Sequence, residues 1–242
     1  MNDLSGRTFL VTGASRGIGR AISLRLLEVG AEVIGIARHF EPDTEALSRF
    51  HPLSLDLSKV NDLTPRLQQV LKAHPAIDGV VSNAGAGRFG ALEQFSPEQI
   101  REMVDLNLIQ HILLARCFLP LFKRRGRGDL IFMGSEAALA GGARGTVYSA
   151  CKFGLRGLAQ ALRQECAGAG VRIGIINPGM VDSDFFDRLD FAPGNATENR
   201  IPPEEVANAV MTFLTASPAT VIDEINLSPL RKKVVHLKRP GQ

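Results

Sequence analysis

The 242-residue chain has no tryptophan, one tyrosine and three cysteines. Cys117, Cys151 and Cys166 are odd in number and far apart, with no C-x-x-C pair and no histidine at ligand spacing, so neither a disulfide framework nor a zinc site is implied. The five histidines fall into no H-x-x-x-H pattern, and a metal-free mechanism is expected. Long apolar runs are also missing: Leu106 to Phe122 comes closest, but Asn107, Gln110, His111 and Arg116 interrupt it, so it reads as a buried or subunit-contacting helix and no membrane span is expected. The opening M-N-D-L-S-G-R-T lacks the basic start and apolar stretch of an export signal, and a cytoplasmic protein is expected. There is little net charge, +3, with basic residues scattered except near the C-terminus, which argues against a nucleic-acid partner. No tandem repeat, low-complexity tract or Gly/Ser linker divides the chain.

What is present is ordinary globular material, 45% hydrophobic and 22% charged, enough to bury a large core in a single domain over residues 1–242. Short apolar runs alternate with helical patterns along its whole length. Thr8 to Val11, Glu32 to Ala37, Leu53 to Leu55, Ile77 to Ser82, Leu130 to Met133, Val171 to Ile176 and Val221 to Leu227 read as seven strands, most of them nearly continuous in apolar residues, as expected when both faces of a sheet are covered. The fold class is therefore α/β: one doubly wound, Rossmann-like domain with a seven-stranded parallel sheet and helices on both faces. Pro97 and Pro203 sit where first helical turns would start. Residues 178–202 show no clear periodicity and are read as a substrate lid, and residues 228–242 as a basic C-terminal tail.

Chemistry enters at F-L-V-T-G-A-S-R-G-I-G-R-A-I, which sets Gly13, Gly17 and Gly19 between a strand and an amphipathic helix. Glycine permits the tight turn, and the free amides and positive dipole end of the helix favour a pyrophosphate. An NAD site needs an acid at the tip of the second strand to hold the ribose hydroxyls; here that tip reads I-A-R-H. Arg38, joined by Arg16 in the turn, can bind a 2′-phosphate with charge-assisted hydrogen bonds, so NADP(H) is preferred to NAD(H).

The lone tyrosine, Tyr148, precedes Lys152 by four residues in V-Y-S-A-C-K-F-G-L, a spacing that puts both on one helix face. A phenol ionises near pH 10 and is a poor acid-base group near neutrality; an adjacent ammonium and an oxidised nicotinamide are expected together to stabilise the phenolate and bring it down. Ser135 ends the fifth strand in L-I-F-M-G-S, at the edge where open α/β sheets bind ligands. Cys151, in the same helix, is read as a small buried apolar residue.

With these pieces in order, the chain resembles the short-chain dehydrogenase/reductase family from about Thr8 to about Ala216. The matching motifs are T-G-A-S-R-G-I-G, Asp56 after the third strand, N-A-G at Asn83 to Gly85, Asn107, Ser135, Y-x-x-x-K, and N-P-G at Asn177 to Gly179 followed by V-D-S-D-F. The resemblance implies Tyr148 as general acid or base, Lys152 on the nicotinamide ribose, Ser135 on the substrate oxygen and Asn107 supporting a water link to Lys152. It implies a cofactor cleft of Gly13, Ser15, Arg16, Gly17, Ile18, Gly19, Arg38, Asp56, Leu57, Asn83, Ala84, Gly85, Tyr148, Lys152, Pro178, Gly179, Val181 and Ser183. Ser183 stands where the family often has Thr, and the last strand, T-V-I-D-E-I-N-L-S-P-L, lacks the glycine pair many members carry. Also implied are sheet order 3-2-1-4-5-6-7 and a homo-oligomer through the helices after the fourth and fifth strands.

The expected function is an NADP(H)-dependent oxidoreductase working on a small carbonyl or alcohol, as a ketone or aldehyde reductase. A catalytically silent NADP(H)-binding regulator is the alternative, though it has no need of the Tyr-Lys pair; a sugar-nucleotide epimerase would need a longer C-terminal region. Arg88, Glu136, Arg144 and Phe185 beside the motifs hint at a polar or acidic substrate.

Overall fold

The computed structural model describes residues 3–45 and 47–237. Seven parallel strands form the main sheet: β1 (Thr8–Thr12), β2 (Glu32–Ala37), β3 (Phe50–Ser54), β4 (Ile77–Ser82), β5 (Gly128–Met133), β6 (Val171–Pro178) and, after a short strand β7 (Phe191–Pro193), β8 (Glu224–Leu227). Their order is β3-β2-β1-β4-β5-β6-β8, the order the resemblance implies. The direction of winding reverses between β1 and β4, which opens a crevice at the carboxyl ends of those two strands.

Side-chain alternation explains why the strands are apolar throughout. Phe9, Val11, Val33, Val81, Ile131 and Ile176 pack with Leu26 of α1 (Gly17–Glu28) and Val206, Val210 and Phe213 of α7 (Pro203–Thr215). Their neighbours Leu10, Ile34, Ile36, Val80, Leu130, Phe132 and Ile175 turn the other way, onto α3 (Val60–Ala73), α5 (Gln110–Arg125) and α6 (Thr146–Cys166). Each such side chain contributes about 1.5–3 kcal/mol on burial, and both faces of the sheet are held this way.

The short helix α2 (Pro42–Glu45) lies between β2 and β3, and α4 (Pro97–Val104) starts on a capping box between Ser96 and Gln99 with Pro97 in its first turn. From Pro97 to Arg125 the chain is long and apolar enough to cross a membrane by length and composition, but its Leu114, Phe118 and Phe122 are spent on the sheet.

Three boundaries differ from the sequence reading, each for a local reason. β3 starts at Phe50, because Pro52 is tolerated in an edge strand that pairs only with β2. β5 starts at Gly128, because Asp129 is neutralised in the sheet by Arg172 at 2.6 Å and Arg7 at 2.7 Å. β8 starts only at Glu224; Val221 and Ile222 pack against the core without belonging to the strand.

Residues 178–202, read as aperiodic, contain β7, and β7 pairs antiparallel with β9 (Val234–His236), a strand inside the segment read as a basic tail. The pairing is extended by Leu237 N–H donating to Asp190 O and Arg231 N–H to Glu198 O, both at 2.8 Å. Three-residue strands carry too little periodicity to be seen in sequence. Residues 238–242 of that tail lie outside the described residues.

Candidate active site

The glycine turn joins β1 to α1. Gly13 and Gly17 have φ of 69° and 53°, the left-handed region glycine favours. A Cβ on Gly19 would stand 2.1 Å from Gly13 O, so the turn closes only with glycine there. The amides at the start of α1 are uncapped by any side chain, which leaves donors and a positive dipole end facing the crevice. Thr12, missed in the sequence reading, ties the turn to β4: its Oγ1 accepts from Asn83 N–H at 2.8 Å and Ala84 N–H at 2.9 Å, while Asn83 Nδ2 donates to Thr12 O at 2.8 Å.

Ile18 is partly buried against the core, Ser15 is half-buried, and Leu57 is buried among core residues, so Leu57 can offer the cleft only its backbone. Arg38 is exposed at the tip of β2, and its charge reaches Asp56. Burial works to raise the Asp56 carboxyl, but hydrogen bonds from the Ser58 hydroxyl and amide and the charges of Arg38 and Lys59 outweigh it and hold the group below its ordinary value. Arg16 is placed apart from this pair: it reaches over to Asp184 at 3.4 Å, linking the glycine turn to the 178–202 segment.

That segment's base lies over the turn. A Cβ on Gly17 would touch Ser183 Cβ at 3.3 Å, and Val181 bridges to Ile201. Pro178 ends β6, and the Gly179 amide is already committed to Leu227 O at 2.8 Å, so that donor is not free for a ligand.

Tyr148 and Lys152 share one face of α6, as their spacing requires, and Lys152 Nζ lies 5.7 Å from the Tyr148 ring centre. Both are buried. Lys152 Nζ donates to Met133 O at 2.8 Å, at the end of β5. Ser135 follows that strand; its Oγ accepts from Ala137 N–H at 3.2 Å, and its hydroxyl lies close enough to Tyr148 to favour the ionised phenol. Asn107 sits in a π-helical turn (Asp105–Ile109) between α4 and α5, with Oδ1 accepting from Ala86 N–H at 3.2 Å and Nδ2 donating to Met103 O at 2.9 Å. A Cβ on Gly85 would meet Asn107 Oδ1 at 2.9 Å and Lys152 Nζ at 3.9 Å, so these three residues adjoin. Four side chains from three elements thus gather at the carboxyl ends of the strands.

Among the protein's own residues, burial pushes the Tyr148 phenol up to about 12, with the Ser135 hydroxyl pulling the other way, and burial brings the Lys152 ammonium down to about 8. In the protein alone Tyr148 therefore holds its proton. Because the folded chain holds this proton more tightly than an unfolded chain ionising near 10, the stability it contributes is present below pH 10 and is lost as pH rises towards about 12. As the only tyrosine, Tyr148 can be titrated directly by tyrosinate absorbance; we expect a midpoint near 12 in the protein alone, with circular dichroism reporting that the fold persists. A midpoint near 10 would contradict the burial argument.

Behind the lysine, His111 is wholly buried with Nδ1 2.6 Å from Ser82 Oγ, and burial together with the Lys152 charge keeps it far below its ordinary value, hence neutral. Cys151 is buried and its thiol is raised by burial, as suits an inert packing residue. Each flanking charge has an ion-pair partner: Arg144 pairs with Asp190 at 2.8 Å, Glu136 with Lys232 of the tail at 2.8 Å, and Arg88 with Glu102 at 3.8 Å. The side chains beside Tyr148 that sequence reasoning missed are aromatic, Phe89 at 5.4 Å and, through Phe185 at 6.0 Å, Phe186 and Phe191.

A doubly wound sheet with an open-amide glycine turn at its switch point, and buried Tyr148, Lys152 and Asn107 with half-buried Ser135 gathered at the strands' carboxyl ends, has the features of a dinucleotide-dependent oxidoreductase. Residues 7–192 match the family model described as short chain dehydrogenase, and the chain belongs to that family, whose members act on CH–OH and C=O groups. It is 32% identical over 231 residues to the 3-oxoacyl-acyl-carrier-protein reductase FabG of Vibrio harveyi, covering 91% of this chain and 94% of the relative. Among solved structures, an alcohol dehydrogenase of the archaeon Thermococcus sibiricus complexed with 5-hydroxy-NADP superposes with a TM-score of 0.83 at 29% identity, over 95% of this chain and 99% of the other. A metagenomic short-chain oxidoreductase in complex with NADP gives 0.79 at 31%, over 96% and 100%.

Proposed function

We propose that the protein is an NADP(H)-dependent reductase of ketones or aldehydes. The uncapped amides of the glycine turn, the exposed Arg38 and Asp56 beside it fit a nucleotide bearing a 2′-phosphate, and the two NADP-type complexes among its structural neighbours support the same choice. When bound, the nicotinamide supplies the hydride. The chain supplies the proton and the electrostatics: Tyr148 Oη gives its proton to the carbonyl oxygen as charge builds there, and the Ser135 hydroxyl donates to the same oxygen. Lys152 keeps a positive charge below about pH 8, stabilising the phenolate left on Tyr148, and Asn107 positions the backbone of Gly85 and Ala86 against the lysine. Residues 178–202 serve as the lid, and a second copy of the chain is the expected partner, for which α6 offers exposed Phe153.

The observation that carries this reading is the burial of Tyr148 and Lys152 on one face of α6, with the Ser135 hydroxyl close enough to the phenol to act on its ionisation. The experiment is an NADPH-oxidation screen over ketones, aldehydes and keto acids, with NADH as comparison. Turnover of at least one ketone or aldehyde is expected, faster with NADPH; silence on the whole panel would leave the chain a binding protein.

A further inference from the structure

Tyr148 belongs to a closed circuit of five aromatic rings. Phe89 lies 5.4 Å and Phe185 6.0 Å from it, centre to centre, and Phe186 and Phe191 complete the ring of contacts at 5.2, 5.9 and 5.0 Å. The four phenylalanines are only partly buried, and none lies on a helix or strand of the main sheet: Phe89 comes from the loop after β4 and the other three from the 178–202 segment. Phe191 is held in register opposite His236 of β9, so the tail fixes one corner of the circuit.

We infer that these rings form the subsite for the group attached to the reacting carbonyl, and that this group is a flat aromatic one. The inference rests on the reductase reading, since it takes Tyr148 as the residue that meets the carbonyl. A carbonyl oxygen placed on Tyr148 and Ser135 directs its substituent at the Phe89 and Phe185 rings. The rings meet largely edge to face, at 87° for Phe89 and Phe191 and 77° for Phe185 and Phe186. A planar ring laid against the exposed sides of Phe89 and Phe185, whose edges close together over Gly87, adds contacts of the same kind, an advantage a saturated ring of equal size lacks. A carboxylate would lie against the negative ring faces, and Arg144, Lys232 and Arg88 are each already paired with an acid.

The test compares 1-phenylpropan-2-one, 1-cyclohexylpropan-2-one and phenylpyruvate with NADPH; the first two have unconjugated carbonyls of similar reactivity and shape. We expect kcat/KM for the phenyl ketone to exceed that of the cyclohexyl ketone about tenfold, from one to two aromatic pairs, and phenylpyruvate to trail both. Phe185→Leu is expected to erase the phenyl preference, so that the two ketones are reduced with equal kcat/KM by the variant. Because the chain has no tryptophan and a single tyrosine, emission from Tyr148 reports occupancy of the circuit without turnover; 1-phenylpropan-2-ol should change it saturably and 1-cyclohexylpropan-2-ol far less. Equal rates for the two ketones, or phenylpyruvate as the best substrate, would overturn the inference and leave the reductase reading standing. No turnover of any ketone would overturn the reductase reading and, with it, the claim that the rings receive the substituent of a reacting carbonyl; phenyl-selective emission changes would then report an aromatic-binding site only.

Discussion

Tyr148→Phe is expected to lower kcat by about a thousandfold on every carbonyl the wild-type protein reduces, the scale of a lost general acid. The substitution removes one oxygen and little else. The ring keeps its neighbours Phe89 and Phe185, and what is forfeited is the influence of the Ser135 hydroxyl on the phenol. Losing a buried hydroxyl together with its desolvation cost changes stability by about 1 kcal/mol in either direction, so the variant should fold, with a melting temperature close to wild type. NADPH affinity should stay within about twofold, because neither the glycine turn nor Arg38 is touched. The loss should therefore appear in kcat and not in the cofactor KM. Unchanged turnover on every compound would remove Tyr148 from the chemistry.

The main sheet was legible because parallel strands buried on both faces announce themselves as apolar runs, and winding order followed from the family resemblance. What sequence hid was anything whose signal lay in a partner far along the chain. Asp129 reads as a loop charge until Arg172, 43 residues on, neutralises it. Val234 to His236 read as part of a solvated tail until Phe191 to Pro193 supply the other strand. The site divided the same way. The helical spacing of Tyr148 and Lys152 and the glycines of the turn are local patterns and could be read directly. The direction of the Tyr148 shift could not, since it depends on how completely the fold excludes water, and burial outweighs the opposing Ser135 hydroxyl. The ion pairs of the flanking charges were hidden for a related reason: Arg144 and Glu136 look free in sequence, and their partners Asp190 and Lys232 lie 46 and 96 positions further along the chain.

Arg38→Asp should invert cofactor choice. Arg38 is exposed at the tip of β2, and its main-chain oxygen, which accepts from Ser54 Oγ at 2.7 Å, is unaffected by the side chain. A surface change of this kind moves stability by no more than about 0.5 kcal/mol, which keeps the measurement a reading of binding. Removing charge-assisted bonds to a 2′-phosphate costs about 1.5–3 kcal/mol, ten- to a hundredfold, and the new carboxylate adds repulsion. The same carboxylate can accept from the ribose hydroxyls of NADH. NADPH should lose at least about a hundredfold in kcat/KM while NADH holds or gains, with kcat at saturation nearly constant, because Tyr148 and Lys152 are unaltered. Arg16→Ala should act more weakly, since that side chain is shared with Asp184 at 3.4 Å and both are more than half exposed. The neighbouring Asp56 provides an internal check: with Arg38 gone and a like charge beside it, its carboxyl should titrate higher than in the wild type, where Arg38 helps to hold it down. Equal losses for both nucleotides would mean that Arg38 does not face the 2′ position, and the preference for NADP(H) would then have no residue to rest on.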